Sequence, residues 1–199
     1  MQHLPQQLIE PKIIDWTDLP NRYMNPGELE TLVALVSSVN PKTVIEFGIN
    51  SGRTAKCLLR EIPSIKKYVG IDVLPGYVTN KMVQRKEVPP VAGELVKDDP
   101  RVELIVRRLG SHEINPEELP KADAIFIDGD HSREGVQRDT YLAHSILNKK
   151  GIVVWHDYNF VRNRDGTSAV DVAEVLHEFR AAGADIIHAT GTWLAFQRA

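Results

Sequence analysis

The chain has 199 residues, 42% of them apolar and 26% charged, a balance that suits one compact domain with a substantial buried core. A formal net charge of −3 and a pI near 6.2 leave no basic footprint for nucleic acid, and no apolar run is long enough to span a bilayer. Met1–Glu10 is Gln-rich and polar, unlike a secretory leader, so a cytoplasmic location is expected, and a single cysteine, Cys57, excludes an internal disulfide.

In chain order, Leu29, Leu32, Val33 and Val36 recur at helical spacing before Asn40-Pro41, which predicts a helix packed on the core within an N-terminal helical extension of residues 1–40. Thr43–Phe47 reads as a buried strand. Ala55, Leu58, Leu59 and Ile62 then mark a helix in which Cys57 is a small core residue, and Tyr68–Asp72 is the second strand. Residues 73–100 are long for one crossover and carry Pro75, Gly76, Pro89, Pro90, Gly93 and Pro100, so an extra irregular piece is expected; its Lys81, Arg85 and Lys86 read as the wet face of a helix.

Val102–Arg107, Ala124–Asp128 and Ile152–His156 complete five predicted buried strands, and Val172, Val175, Leu176 and Phe179 mark a last helix. Ala184–Ala189 and Trp193–Gln197, joined through Thr190-Gly191-Thr192, read as a hairpin that adds an antiparallel strand. Apolar strands alternating with helices predict a single doubly wound α/β domain over residues 1–199, with a mostly parallel sheet covered on both faces.

Ligands of such sheets bind beyond the carboxyl ends of the strands. The first strand runs into Glu46-Phe47-Gly48-Ile49-Asn50-Ser51-Gly52, a glycine-containing turn ahead of a helix whose first N–H groups face a ligand. Asp72, twenty positions after Gly52, stands where an acidic residue reaches ribose hydroxyls. In the dinucleotide fingerprint G-x-G-x-x-G the second and third glycine positions are Asn50 and Arg53 here. Both carry side chains where a pyrophosphate needs close backbone approach, so the turn suits a cofactor without phosphates better than NAD(P).

Val44-Ile45-Glu46-Phe47-Gly48-Ile49-Asn50-Ser51-Gly52 resembles the first motif of the class I S-adenosylmethionine (SAM)-dependent methyltransferases. The resemblance runs from Pro41 to the tail and implies a Rossmann-like fold with a seven-stranded sheet ending in an antiparallel hairpin. It implies that Gly48, Asn50 and Gly52, with Ser51 in the same turn, line the methionine end of SAM. Glu46 would help place the ammonium group, Asp72 would take the ribose hydroxyls, and Ser111 would sit near the adenine.

The fourth strand leads into Asp128-Gly129-Asp130-His131 and the fifth into His156-Asp157-Tyr158-Asn159, so two strand ends present carboxylates and imidazoles suited to a divalent ion. The same residue types also cap helices and bind loop backbone, a role open to Asp130 and Ser132. This region is similar to the divalent-metal O-methyltransferases. That likeness implies Asp128, His156 and Asp157 as metal ligands, with Asp128 also on the cofactor side, and His131 as general base. His156 stands where those relatives carry a carboxylate, which leaves the ion open between Mg²⁺ and Mn²⁺.

His112, His144, His177 and His188 read as ordinary surface or core residues, and Arg162 and Arg164 as solvated loop charges. The expected activity is methyl transfer to a hydroxyl of a small molecule, with a metal-independent N- or O-methyltransferase, an NAD-dependent oxidoreductase and a catalytically silent binding module as rivals. No nucleic acid or membrane partner is expected, and the sequence is compatible with a homo-oligomer without fixing its size.

Overall fold

The computed structural model describes residues 3–19, 24–25, 27–77, 88–158 and 170–199. In chain order the elements are β1 (Gln6–Gln7), α1 (Glu28–Ser37), β2 (Thr43–Phe47), α2 (Arg53–Glu61), β3 (Lys67–Val73), β4 (Val102–Arg107), β5 (Ala122–Ile127), α3 (Arg133–Ile146), β6 (Leu147–Trp155), α4 (Val172–Ala181), β7 (Ile187–Ala189) and β8 (Ala195–Arg198). Short 3₁₀ turns at Gly110–Glu113 and Pro116–Glu118 join β4 to β5.

Side chains alternate across a strand, so the central strands, apolar at every other position and at the intervening ones too, must be covered on both faces. Val44, Phe126 and Val154 face one cluster with Leu29 and Leu32 of α1 and Leu58 of α2. Their neighbours Ile45, Ile125 and Val153 face the other, with Leu142 of α3 and Leu176 of α4. The sheet is therefore a middle layer between two pairs of helices.

The strands lie in the order β1-β7-β8-β6-β5-β2-β3-β4. β2 pairs in parallel with both β3 and β5, and the order reverses between β2 and β5, which opens a crevice at their carboxyl ends. β8 runs antiparallel to both β6 and β7, as the hairpin predicts. The sheet has one strand more than expected, because Gln6–Gln7 adds in parallel to β7; two polar residues carry no strand pattern.

β4 differs from the expectation of a buried strand. It is the far edge of the sheet and its residues are half-buried or exposed. The N-terminal extension is more than a helix, since it runs from β1 beside β7 past α1, where the Lys12 N–H donates to the Glu30 carbonyl, to α2. Lys56 Nζ donates to the Asp18 carbonyl, Arg60 to the carbonyls of Thr17 and Asp15, and the Asp15 N–H to Glu61. Lys81, Arg85, Lys86, Arg162 and Arg164 lie outside the described residues. Among the described residues no helix is long and apolar enough to cross a membrane.

Candidate active site

The turn after β2 takes its shape from three residues in the left-handed region: Gly48 (φ 84°), Asn50 (φ 50°) and Gly52 (φ 86°). Asn tolerates that region better than most side chains, so Asn50 in place of a glycine keeps the turn. A Cβ on Gly48 would stand 2.1 Å from the Asp128 carbonyl oxygen, so only glycine lets this turn lie against the end of β5. Asp72, at the end of β3, braces it: Oδ2 accepts from the Asn50 N–H (2.6 Å) and Oδ1 from the Val73 N–H (2.7 Å). The Asn50 side chain in turn accepts from the Ser51 N–H.

Gly52 caps α2 without a side-chain hydrogen bond, and no acidic residue occupies the first turn, so the N-terminal N–H groups and their positive dipole end keep no acidic partner from the helix itself. Glu46 is buried and accepts from the Tyr68 hydroxyl at 2.7 Å; burial pushes its carboxyl well above the usual range. Ser111 is buried after β4, with its hydroxyl on the Asp139 carboxylate.

A second group forms where β5 and β6 end side by side. The Asp128 N–H donates to the Phe47 carbonyl and the His156 N–H to the Ile127 carbonyl, which extends the ladder and sets the two residues next to each other. His156 Nδ1 is 3.3 Å from Asp128 Oδ1 and 3.3 Å from Asp157 Oδ1. His131 Nε2 is 2.8 Å from Asp157 Oδ2 and 3.6 Å from Asp128 Oδ1, but it is buried and makes no hydrogen bond of good geometry. Asp128, His131 and Asp157 offer ligand atoms that all lie within 4.8 Å of one another.

Burial opposes charge on all four groups, and their mutual attraction outweighs it for each. It would lift both carboxyls, yet the imidazoles hold Asp128 and Asp157 below the ordinary range. Burial would lower both imidazoles, yet the carboxylates raise His131 to about 10 and His156 well above its usual value. A small cavity beside Ile127, Val136 and Trp155 opens onto Asp128, His131 and His156.

The donor set fits a divalent cation. Edges of an octahedron about an ion with roughly 2.1 Å bonds are about 3 Å long, close to the separations found here. Two carboxylates and the His131 imidazole, whose buried Nε2 makes no hydrogen bond, are what such an ion would complete, with His156 Nδ1 3.3 Å from both carboxylates. The capping roles fall to the neighbours: Asp130 Oδ1 accepts from the Ser132 N–H, and Ser132 caps α3 by accepting from the Gly135 N–H. The other described histidines keep ordinary settings. His112 and His144 are exposed, His177 is half-buried, and His188 is buried with Nε2 2.8 Å from the Thr192 carbonyl.

Three residues of this region carry no signal in the sequence. Glu28, fully buried at the start of α1, lies 3.4 Å from His156 Nε2. Tyr77 donates its hydroxyl to Asp130 Oδ2 at 3.0 Å, and Asp139 is buried beneath Gly129. Only the partner far along the chain makes each of them notable. A glutamate in a first turn, a tyrosine in an irregular segment and an aspartate in a polar helix are ordinary in isolation.

A family model described as a methyltransferase domain matches residues 45–158, which takes in both strand-end clusters. No curated protein matches the chain in sequence. Among solved structures it is similar to a protein assigned as a caffeoyl-CoA O-methyltransferase from Staphylococcus aureus (15% identity, TM-score 0.64, covering 89% of this chain and 85% of that one). It is also similar to an O-methyltransferase of tomaymycin synthesis from Streptomyces achromogenes, solved with SAM (17%, TM-score 0.60, 92% and 84%). A third is an O-methyltransferase from Bacillus cereus, solved with S-adenosylhomocysteine (SAH; 16%, TM-score 0.60, 92% and 85%). At these identities the likeness is one of fold.

Proposed function

The chain belongs to the methyltransferase-domain family, and from that premise we propose that it transfers the methyl group of SAM to a hydroxyl of a small molecule, aided by a divalent ion on Asp128, His156 and Asp157. The observation that carries this reading is adjacency: the Gly48–Gly52 turn packs directly on the backbone of Asp128, so the cofactor turn and the carboxylate–imidazole cluster share one crevice. The whole chain acts as one SAM-binding unit, with residues 1–40 as its cover.

In this reading Gly48, Asn50, Ser51 and Gly52 hold the methionine end of SAM, Glu46 its ammonium group, Asp72 the ribose hydroxyls, and Ser111 lies toward the adenine. Methyl transfer is an in-line displacement: the acceptor oxygen bonds the methyl carbon, the carbon–sulfur bond breaks, and SAH leaves. The residues must align three atoms and receive one proton. His131 takes that proton at Nε2, the nitrogen that faces the cluster. A divalent ion would act as a Lewis acid on the acceptor hydroxyl and offset the two carboxylate charges that hold His131 protonated.

The close grouping of Asp128, His131 and Asp157 favours one second reading, in which His131 is a ligand rather than the base. Mn²⁺ binding to chelator-stripped protein, followed by electron paramagnetic resonance, separates the two. One bound ion that is lost in Asp128→Ala and His156→Ala but kept in His131→Ala supports the proposal. The His131→Ala enzyme should then lose roughly 10²- to 10⁴-fold in turnover. Loss of Mn²⁺ in His131→Ala makes His131 a ligand, and a wild-type protein that binds no Mn²⁺ leaves methyl transfer without a metal.

A further inference from the structure

Glu28 is 0% exposed, a costly place for a carboxylate unless its lone pairs are taken. They are taken from three segments. Oε1 accepts from the Trp193 N–H (2.6 Å) in the turn between β7 and β8 and from Asn25 Nδ2 (3.2 Å). Oε2 accepts from the Asn25 N–H (2.6 Å) and lies 3.4 Å from His156 Nε2. The carboxylate is thus a fixed point rather than a swinging side chain. The imidazole is confined as well, with Trp193 tilted against it and Phe126 edge-on, ring centroids 6.1 and 6.3 Å away.

An ionised carboxylate can only accept, so the contact with Glu28 places a proton on His156 Nε2. In the neutral ring the lone pair is then on Nδ1. That nitrogen lies 3.3 Å from both Asp128 Oδ1 and Asp157 Oδ1, where the carboxylates favour a proton on it in the metal-free protein and a cation that replaces that proton would meet its lone pair. A ligating histidine whose second ring nitrogen donates to a carboxylate is held in one tautomer and one orientation.

We infer that Glu28 is a positioning residue that fixes His156 in the Nε2–H tautomer and aims Nδ1 at the Asp128–Asp157 carboxylates, so that the N-terminal extension helps build the metal site. This rests on the metal reading above. It gives α1 a function beyond covering the sheet, and it accounts for a histidine at a position where a carboxylate would need no such partner.

The test uses the full-length protein with ¹⁵N-labelled histidine, saturated with Mg²⁺ for NMR and titrated with Mn²⁺ for affinity. The His156 ring, assigned by its loss in His156→Ala, should show the Nε2–H tautomer in wild type. Glu28→Gln, with an unchanged circular dichroism spectrum, should bind Mn²⁺ about 10- to 100-fold more weakly, the range for loss of an outer-sphere partner. Wild-type Mn²⁺ affinity in Glu28→Gln overturns the inference, and so does an Nδ1–H tautomer in wild type, a measurement that stands even where the variant fails to fold. A wild-type protein that binds no Mn²⁺ overturns the metal reading and this inference together; Mn²⁺ binding with an indifferent Glu28 overturns this inference alone.

Discussion

Asp139 is buried on α3, takes the Ser111 hydroxyl, and leaves its Oδ1 without a partner. Burial pushes its carboxyl up to about 7, with the Ser111 bond opposing the rise and the Asp130 charge adding to it. The unfolded chain ionises Asp139 near the ordinary carboxylate value, so between roughly pH 4 and pH 7 the folded protein holds a proton the unfolded one has lost. Stability from this group is therefore present at low pH and declines as pH rises toward the folded pKa. Asp139→Asn, which cannot ionise, removes the effect. Denaturant unfolding of both proteins should show wild type losing roughly 2–3 kcal/mol relative to the variant between pH 5 and pH 8; parallel pH profiles would refute it. At this scale the sequence is legible where a residue type is demanded locally. Gly48, Gly52 and Asp72 stand out by spacing, and the two strand-end runs stand out by composition. Glu28 is illegible because its meaning comes from a histidine 128 positions away.

Turns and helices show the same division. Gly48 is required for two separable reasons, a positive φ and the Asp128 carbonyl 2.1 Å from its would-be Cβ, whereas Gly191 in the β7–β8 turn has a positive φ and no atom within 4 Å. Gly191→Ala should cost about 1 kcal/mol, the conformational share alone. Gly48→Ala should cost at least about 2–3 kcal/mol, since the turn and the end of β5 must move apart. Thermal or denaturant unfolding of the two variants reads the difference, and equal losses would mean that the turn does not bear on β5.

The helix α3 shows what pattern reading loses. Val136, Leu142, Ala143 and Ile146 face the core, but the turn between Val136 and Leu142 presents Asp139 and Thr140 to it, the latter buried to accept the Trp155 indole N–H at 3.0 Å. Polar residues satisfied by tertiary contacts break the apolar stripe that marks a helix. β4 fails in the opposite sense, its Val-Glu-Leu-Ile-Val run being apolar enough for a central strand although it lies at the sheet edge.

Across the whole molecule, the doubly wound plan is legible because fully apolar strands joined by helices have few ways to bury both faces of a sheet. The strand order is not written in any pattern, yet it is what places the Gly48–Gly52 turn beside Asp128 at the reversal between β2 and β5. Everything proposed for catalysis depends on that crevice taking SAM rather than a dinucleotide. Asn50 and Arg53 stand at positions where a dinucleotide turn carries glycines, while the Asp72 carboxylate and the uncapped start of α2 remain suited to a ribose and a methionine carboxylate. Calorimetric titration with SAH, and separately with NADH, tests this most directly. One SAH should bind per chain, Asp72→Ala should weaken it by about 1.5–3 kcal/mol, and NADH should give no binding; saturable NADH binding with none for SAH would contradict the account.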